Sequence, residues 1–309
     1  MNYFDLHCDT PFEIYHKNMR FSDGNTHITA KKTAALENYV QVFDVWSDNK
    51  LSDNDAFSDF FKIYENFKNE LSASSEFAFC TCADDMKNAL ENNKKAALLG
   101  VEGANLLAGD INRLYELFKS GVRILTLTWA GESCIGGAHG TKTGLTDFGR
   151  EVVLKCESLG IITDVSHGSD KLTEETVEIC SSYRVPAIAT HSNSRECRDH
   201  SRNLTDTQAK KIAAAGGIIG ISLCDNHLKA RGEATIDDVI RHMAHYLDLG
   251  LENNVCFGSD FDGTDLPLGI NGIEDVYKIH DAAHEYGIDD NTLEKVFFQN
   301  AEKFFLKFL

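Results

Sequence analysis

Eight short apolar runs, rich in β-branched residues, recur along this chain and end on polar or charged side chains. They occupy residues 2–9, 39–46, 96–103, 122–129, 160–167, 185–191, 217–223 and 255–260. Near-continuous apolar strands of this kind suit a parallel sheet buried on both faces. Helical patterns fill the gaps. Phe57, Phe60, Phe61, Tyr64 and Phe67 line one face of residues 55–71 at intervals of three and four. Residues 110–120, 146–159, 170–183, 205–215, 236–249 and 273–286 behave alike, several opening on Thr or Asp at the cap position. Residues 290–309 read as one or two closing helices.

Strands alternating with helices imply right-handed crossovers, and eight such units predict an α/β chain folded as a (β/α)8 TIM-type barrel. An open doubly wound sheet is the alternative. It is weakened because no glycine-rich dinucleotide loop follows any strand. The longest connection, about residues 47–95, is rich in Asp, Glu, Lys and Asn, and is expected to hold two surface helices around the strand-like Phe77-Ala78-Phe79-Cys80. No compositional boundary interrupts the rhythm, so residues 1–309 are expected to form a single domain.

Charge narrows the partners. Lys and Arg number 30 against 48 Asp and Glu, a formal charge of −18, which argues against nucleic acid as a ligand. Mean hydropathy is −0.27, and no run approaches the roughly 18 apolar residues of a membrane helix. The stretch from Met1 to Thr10 has no basic region of the kind that opens a secretory signal. The nine cysteines are odd in number and scattered, which suits reduced thiols in a cytoplasmic protein rather than a disulfide framework.

The C-terminal ends of barrel strands are where catalytic groups gather. Read in order, those ends supply His7 and Asp9, Glu102, His167, His191 and Asp260. Residues i and i+2 of a strand share a face, so His7 and Asp9 aim at one space while Cys8 turns away. A histidine at one strand end is commonly a structural residue, and Asp260 and Asp262 could simply form a turn beside Gly263. Six such groups in phase point instead to a site for zinc or a similar divalent ion. A carboxylate shared between two ions would make it a two-metal hydrolase site. His16, His27, His242, His245, His280 and His284 fall on helices or loops and are expected to pack or face solvent.

Taken together, Asp5-Leu6-His7-Cys8-Asp9, Gly100-Val101-Glu102-Gly103, Asp164-Val165-Ser166-His167, His191-Ser192-Asn193, Arg202-Asn203-Leu204 and Gly258-Ser259-Asp260-Phe261-Asp262-Gly263 resemble the renal-type (membrane) dipeptidases, binuclear-zinc members of the amidohydrolase superfamily. The resemblance runs from residue 1 to near the end of the chain. It implies a (β/α)8 barrel that hydrolyses dipeptides with two zinc ions, or other divalent metals in their place. By that likeness His7 and Asp9 would bind one ion and His167 and His191 the other, with Glu102 bridging. Arg202 would hold the substrate carboxylate. Asp260 would take a proton from the bridging water and return it to the leaving amine. The family's frequent dimers offer a homodimer by analogy. Its lipid-anchored members have an apolar tail, whereas Ala301 to Leu309 is charged and aromatic, so no membrane partner is expected.

Two departures concern the substrate. Where the family carries a histidine after the fourth strand, this chain reads Leu127-Thr128-Trp129, and an indole cannot carry positive charge. Trp129, or His139 in the glycine-flanked loop 136–140, would take over the substrate contact. Where the family carries an Asn-Phe-Tyr-like stretch after strand seven, this chain has Ser222-Leu223-Cys224. These changes open the alternative of a hydrolase for another small amide, acylated amino acid or lactone. A non-catalytic metal-binding barrel is the remaining reading.

Overall fold

A computed structural model describes residues 1–230 and 233–309. Strands β1 (Tyr3–Asp5), β2 (Tyr39–Trp46), β3 (Phe77–Phe79), β4 (Lys95–Glu102), β5 (Val122–Thr126), β6 (Ile162–Asp164), β7 (Ile219–Ile221) and β8 (Val255–Phe257) form one parallel sheet. Its path runs β6-β5-β4-β2-β1-β8-β7, with β3 beside β4. Helices α1 (Thr10–His16), α2 (Asp53–Ser72), α3 (Ala83–Glu91) and α4 (Asn112–Lys119) alternate with the first strands. Then come α5 (Asp147–Leu159), α6 (Asp170–Ser181), α7 (Asp206–Ala214), α8 (Asp225–Leu228) and α9 (Ile236–Asp248). The chain closes with α10 (Val276–Tyr286), α11 (Asp290–Glu294) and α12 (Asn300–Phe308). Among the described residues no helix is long and apolar enough to cross a membrane.

Local chemistry accounts for the helix starts. Thr146 accepts a hydrogen bond from the Gly149 amide, Ser169 from Leu172, and Thr205 forms a capping box with Gln208. Phe60, Tyr64 and Phe67 bury the predicted face of α2.

The sheet differs from expectation at one place. The run 185–191 forms no named strand, because Pro186 has no N–H to give a ladder. Its contribution is two isolated parallel bridges, Asp164 with Ile188 and Ala189 with Ile219, between β6 and β7. The sheet is therefore a curled parallel sheet whose end strands do not pair directly. Phe77–Phe79 does become a strand, pairing with Lys95–Ala97 of β4.

Alternation sorts the side chains. Tyr3, Tyr39, Phe43, Leu125 and Phe257 point outward into the layer under the helices. Phe4, Val40, Val42, Leu98, Ile124 and Ile162 point into the hollow of the sheet and fill it. Phe298, Phe304 and Phe305 cover the lower end of that hollow, with the Phe305 ring 5.0 Å from Phe4. Higher up, the same inward phase turns polar: Val42 gives way to Asp44, Leu98 to Gly100 and Glu102, Ile124 to Thr126, and Ile162 to Asp164. That switch sets the site at the upper mouth.

Candidate metal centre

The strand ends converge as expected. Glu102 Oε1 lies 2.8 Å from His167 Nε2, 3.3 Å from His191 Nε2 and 3.6 Å from His7 Nε2. His7 Nε2 is also 3.7 Å from Asp9 Oδ2 and 3.9 Å from Asp260 Oδ1. Two compact ligand sets result, His7 with Asp9 and Glu102, and Glu102 with His167 and His191. They share Glu102. Asp260 completes a third set with His7 and His191. Cys8 lies in the outer core while Phe4 and Leu6 face the hollow, so the alternation breaks between Leu6 and His7 and brings His7 and Asp9 to the centre.

Each imidazole is held from behind. His167 Nδ1 bonds the Trp129 carbonyl at 3.0 Å. His191 Nδ1 bonds Thr190 Oγ1 at 2.8 Å, and Thr190 in turn bonds Asp164 Oδ2 at 2.7 Å. Those contacts put the protons on Nδ1 and leave the Nε2 lone pairs aimed at the centre. His7 Nδ1 stands 3.1 Å from Asp44 Oδ2, an ion pair slightly off the hydrogen-bond line.

The arrangement fits a divalent cation. His7 Nε2, Asp9 Oδ1 and Glu102 Oε1 are buried with no hydrogen-bond partner. The Nε2 atoms of His167 and His191 face each other at 2.9 Å, two lone pairs with no proton to share. Burial pushes the carboxyls of Asp9, Glu102 and Asp260 above their usual range; the Glu102 charge adds to the shift of Asp9, and those of Asp9 and Glu102 to the shift of Asp260. Burial holds His167 and His191 below the usual imidazole range, in the neutral form that ligates metal. Burial also acts against a charged His7, but Asp44 and Glu102 outweigh it and raise the group. Asp44 itself is raised to about 7 by burial.

Backbone strain gathers here too. His167, Asp260 and Asp262 are L-residues at φ of 66°, 65° and 69°. Each such residue costs about 1–3 kcal/mol and persists where surrounding structure imposes it.

A cavity of about 410 Å³ opens over the cluster. Trp129 and His139 both line it, beside Arg202 and Asp260. Arg202 is buried, donates to the His191 carbonyl at 3.3 Å, and has an Nε without a partner. His139 Nδ1 bonds Ser201 Oγ at 3.0 Å; burial, then the Arg202 charge, lowers its pKa to about 4. All nine cysteines are free. His242 is a buried packing residue, accepting from the Ser194 amide and contacting the Leu228 carbonyl.

Sequence reasoning passed over Asp44, Phe12, Cys224 and His227. Asp44 carried a signal, a charged residue in inward phase within an apolar run. Cys224 had been noted only as a departure, and His227 sits on the four-residue helix α8, too short for any periodicity to flag it.

Comparison with known proteins places this geometry. The family model described as membrane dipeptidase (peptidase family M19) matches residues 1–307. An uncharacterized dipeptidase of Schizosaccharomyces pombe is 32% identical over 219 residues, covering 67% of this chain and 51% of that protein. The chain thus spans about half the length of that relative. A Klebsiella pneumoniae protein encoded in the pqqA 5′ region is 28% identical over 240 residues, covering 74% of this chain and 88% of its own. Among solved structures, a metallopeptidase of Rhodobacter sphaeroides, liganded with a phosphinate mimic of the dipeptide L-Ala-D-Ala, shares the fold at a TM-score of 0.92. It has 22% identity and covers 100% of this chain and 99% of that one. With the family model spanning nearly every residue, the chain belongs to the membrane dipeptidase family, peptidase family M19.

Proposed function

We propose that this protein is a metal-dependent dipeptidase with two divalent ions, zinc in the first instance, in the centre formed by His7, Asp9, Glu102, His167 and His191. One observation carries the reading: the Glu102 carboxylate is common to two three-residue ligand sets, the position a bridging carboxylate would take. When bound, the metal supplies Lewis-acid polarisation of the scissile carbonyl and a more acidic water.

The chain's own residues do the rest. The Arg202 guanidinium, buried and with Nε free, receives the substrate's C-terminal carboxylate in a bidentate grip. Asp260 lies on the cavity wall beside the ligands. Its raised carboxyl suits a group that accepts a proton from the attacking water and returns it to the departing amine. Phe12, Trp46 and Trp129 form an apolar wall that excludes bulk water around a small substrate. The isolated bridges at Ile188 and Ala189 support closure of the curled sheet into a (β/α)8 barrel, a single domain over residues 1–309. Free thiols and the acidic charge favour a cytoplasmic setting.

Asp260→Asn tests the mechanism. It should retain metal by elemental analysis and lose about 10²–10⁴ of kcat on dipeptides. Undiminished turnover would remove Asp260 from its role. A second reading follows from Trp129: a hydrolase of acylated amino acids, small amides or lactones. Screening the metal-loaded enzyme on dipeptides of mixed chirality alongside acyl-amino acids separates the two, since only the first predicts release of two amino acids. If Trp129→His leaves dipeptide turnover unaltered, the motive for the second reading is gone.

A further inference from the structure

A second cavity, of about 290 Å³, lies against the first and shares Trp129 and Ala130 with it. It sits over the ends of β2, β4 and β5, away from the β7 side that supplies Cys224 and His227 to the main cavity. Its interior is polar. Ser47 and Thr128, each only 3% exposed, line it, and neither Ser47 Oγ nor Thr128 Oγ1 has a hydrogen-bond partner. Two carboxylates, Asp53 and Glu132, stand at its rim, and among the described residues no basic side chain lines it. Asn105 Nδ2 donates to Asp53 Oδ1 at 3.2 Å and holds that carboxylate in place.

Gly103 packs closely against three of the lining residues, Ser47, Asn105 and Trp129. Its φ is +95°, and a Cβ there would stand 3.0 Å from Asn105 Oδ1 and 3.2 Å from Ser47 Cβ. The wall facing the metal centre is aromatic, with Trp46 and Trp129 edge to face at 4.8 Å. A long aliphatic stem can lie along such indoles while its charged end passes beyond them.

We infer that this side pocket is a subsite for the cationic end of a substrate side chain, an ammonium or guanidinium group on the residue amino-terminal to the scissile bond. The inference rests on the dipeptidase reading. With the substrate carboxylate on Arg202, the amino-terminal residue extends across the metal cluster toward Trp46 and Trp129. Its side chain then meets two buried acceptor hydroxyls and two carboxylates, a set matched to a donor-only cation and not to an acid.

The test compares kcat/KM of the metal-loaded enzyme on Arg-Ala, Lys-Ala, Met-Ala and Glu-Ala. Arg-Ala and Lys-Ala should exceed Met-Ala by about tenfold, mainly through KM, with Glu-Ala poorest. In the double variant Asp53→Asn, Glu132→Gln the Arg-Ala to Met-Ala ratio should fall toward one. Both side chains reach solvent, so the fold survives the change, and circular dichroism checks that it does. Turnover with no preference for the cationic pair, or a preference that the double variant leaves intact, overturns the subsite while sparing the dipeptidase reading. No turnover of any of the four dipeptides overturns both.

Discussion

Asp44 offers the sharpest test of how the centre is built. It lies in inward phase on β2, opposite Gly100 of β4, and is wholly buried. Its Oδ2 stands 3.1 Å from His7 Nδ1 and, among the described residues, it is the one carboxylate behind that ring. Asp44→Asn keeps the shape and removes the charge. The pair lies off the hydrogen-bond line, so it is worth less than the ~1.5–3 kcal/mol of a charge-assisted hydrogen bond, and its neutral replacement less than the ~0.5–1.5 kcal/mol of a neutral one. The difference, about 1 kcal/mol, is roughly a fivefold loss of metal affinity. Asp44→Ala removes the contact altogether and should cost about 10–100-fold, as for other groups that orient a ligating histidine. Competition titration of chelator-stripped protein against a metal-sensitive dye measures both, with circular dichroism as the check on folding. The graded order, Ala worse than Asn and both worse than the native residue, is the expected result. Affinity unchanged within twofold in the alanine variant would refute the assignment of Asp44 as the group that orients His7.

Metal affinity should rise steeply with pH. Asp9, Glu102 and His7 all hold their protons above the usual range in the metal-free protein, so protons compete with the ion until the pH passes those raised values. His167 and His191, shifted down, offer no such competition. Dissociation constants measured across pH 5–8 that stay flat would contradict this. Gly100→Ala should lower stability by about 1–3 kcal/mol in thermal unfolding, because the new Cβ would stand 2.0 Å from Asp44 Oδ1. An unchanged melting temperature would mean that the Asp44 carboxylate can move without cost. Arg202→Lys should weaken kcat/KM on dipeptides by roughly 10–100-fold while metal content holds, since a point charge replaces a bidentate fork. Equal activity in the lysine variant would show that the carboxylate binds elsewhere.

The ligands were legible because they sit at strand ends: Glu102 keeps the inward phase, while His7, His167 and His191 follow a break in the alternation that swings them to the same centre. A residue at the end of a buried parallel strand has one place to point, and six polar residues in that position could not all be turn formers. The longer helices were legible from spacing and caps, to within two or three residues at each end, as α2 and α5 illustrate, whereas the short α1 and α8 were not. Three things lay beyond that reasoning. Run 185–191 had strand composition, yet Pro186 and the short pairing reach left only single bridges. Asp44 interrupts an apolar run, but that its carboxylate has room depends on the strand register that sets it opposite Gly100. His227 and Cys224 reach the cavity from a connection whose path depends on tertiary packing, which no local pattern encodes.

The aromatic stopper under the sheet bears on how the chain is made. Phe4 and its partner Phe305 stand 301 positions apart in the chain. Until residues 298–305 have emerged, Phe4, Val42, Ile124 and Ile162 line an uncapped apolar hollow. Contacts of such long sequence separation form slowly. A nascent chain of this kind therefore displays this hollow until α12 has been made, and its yield in the cell depends on what shields that surface in the interval.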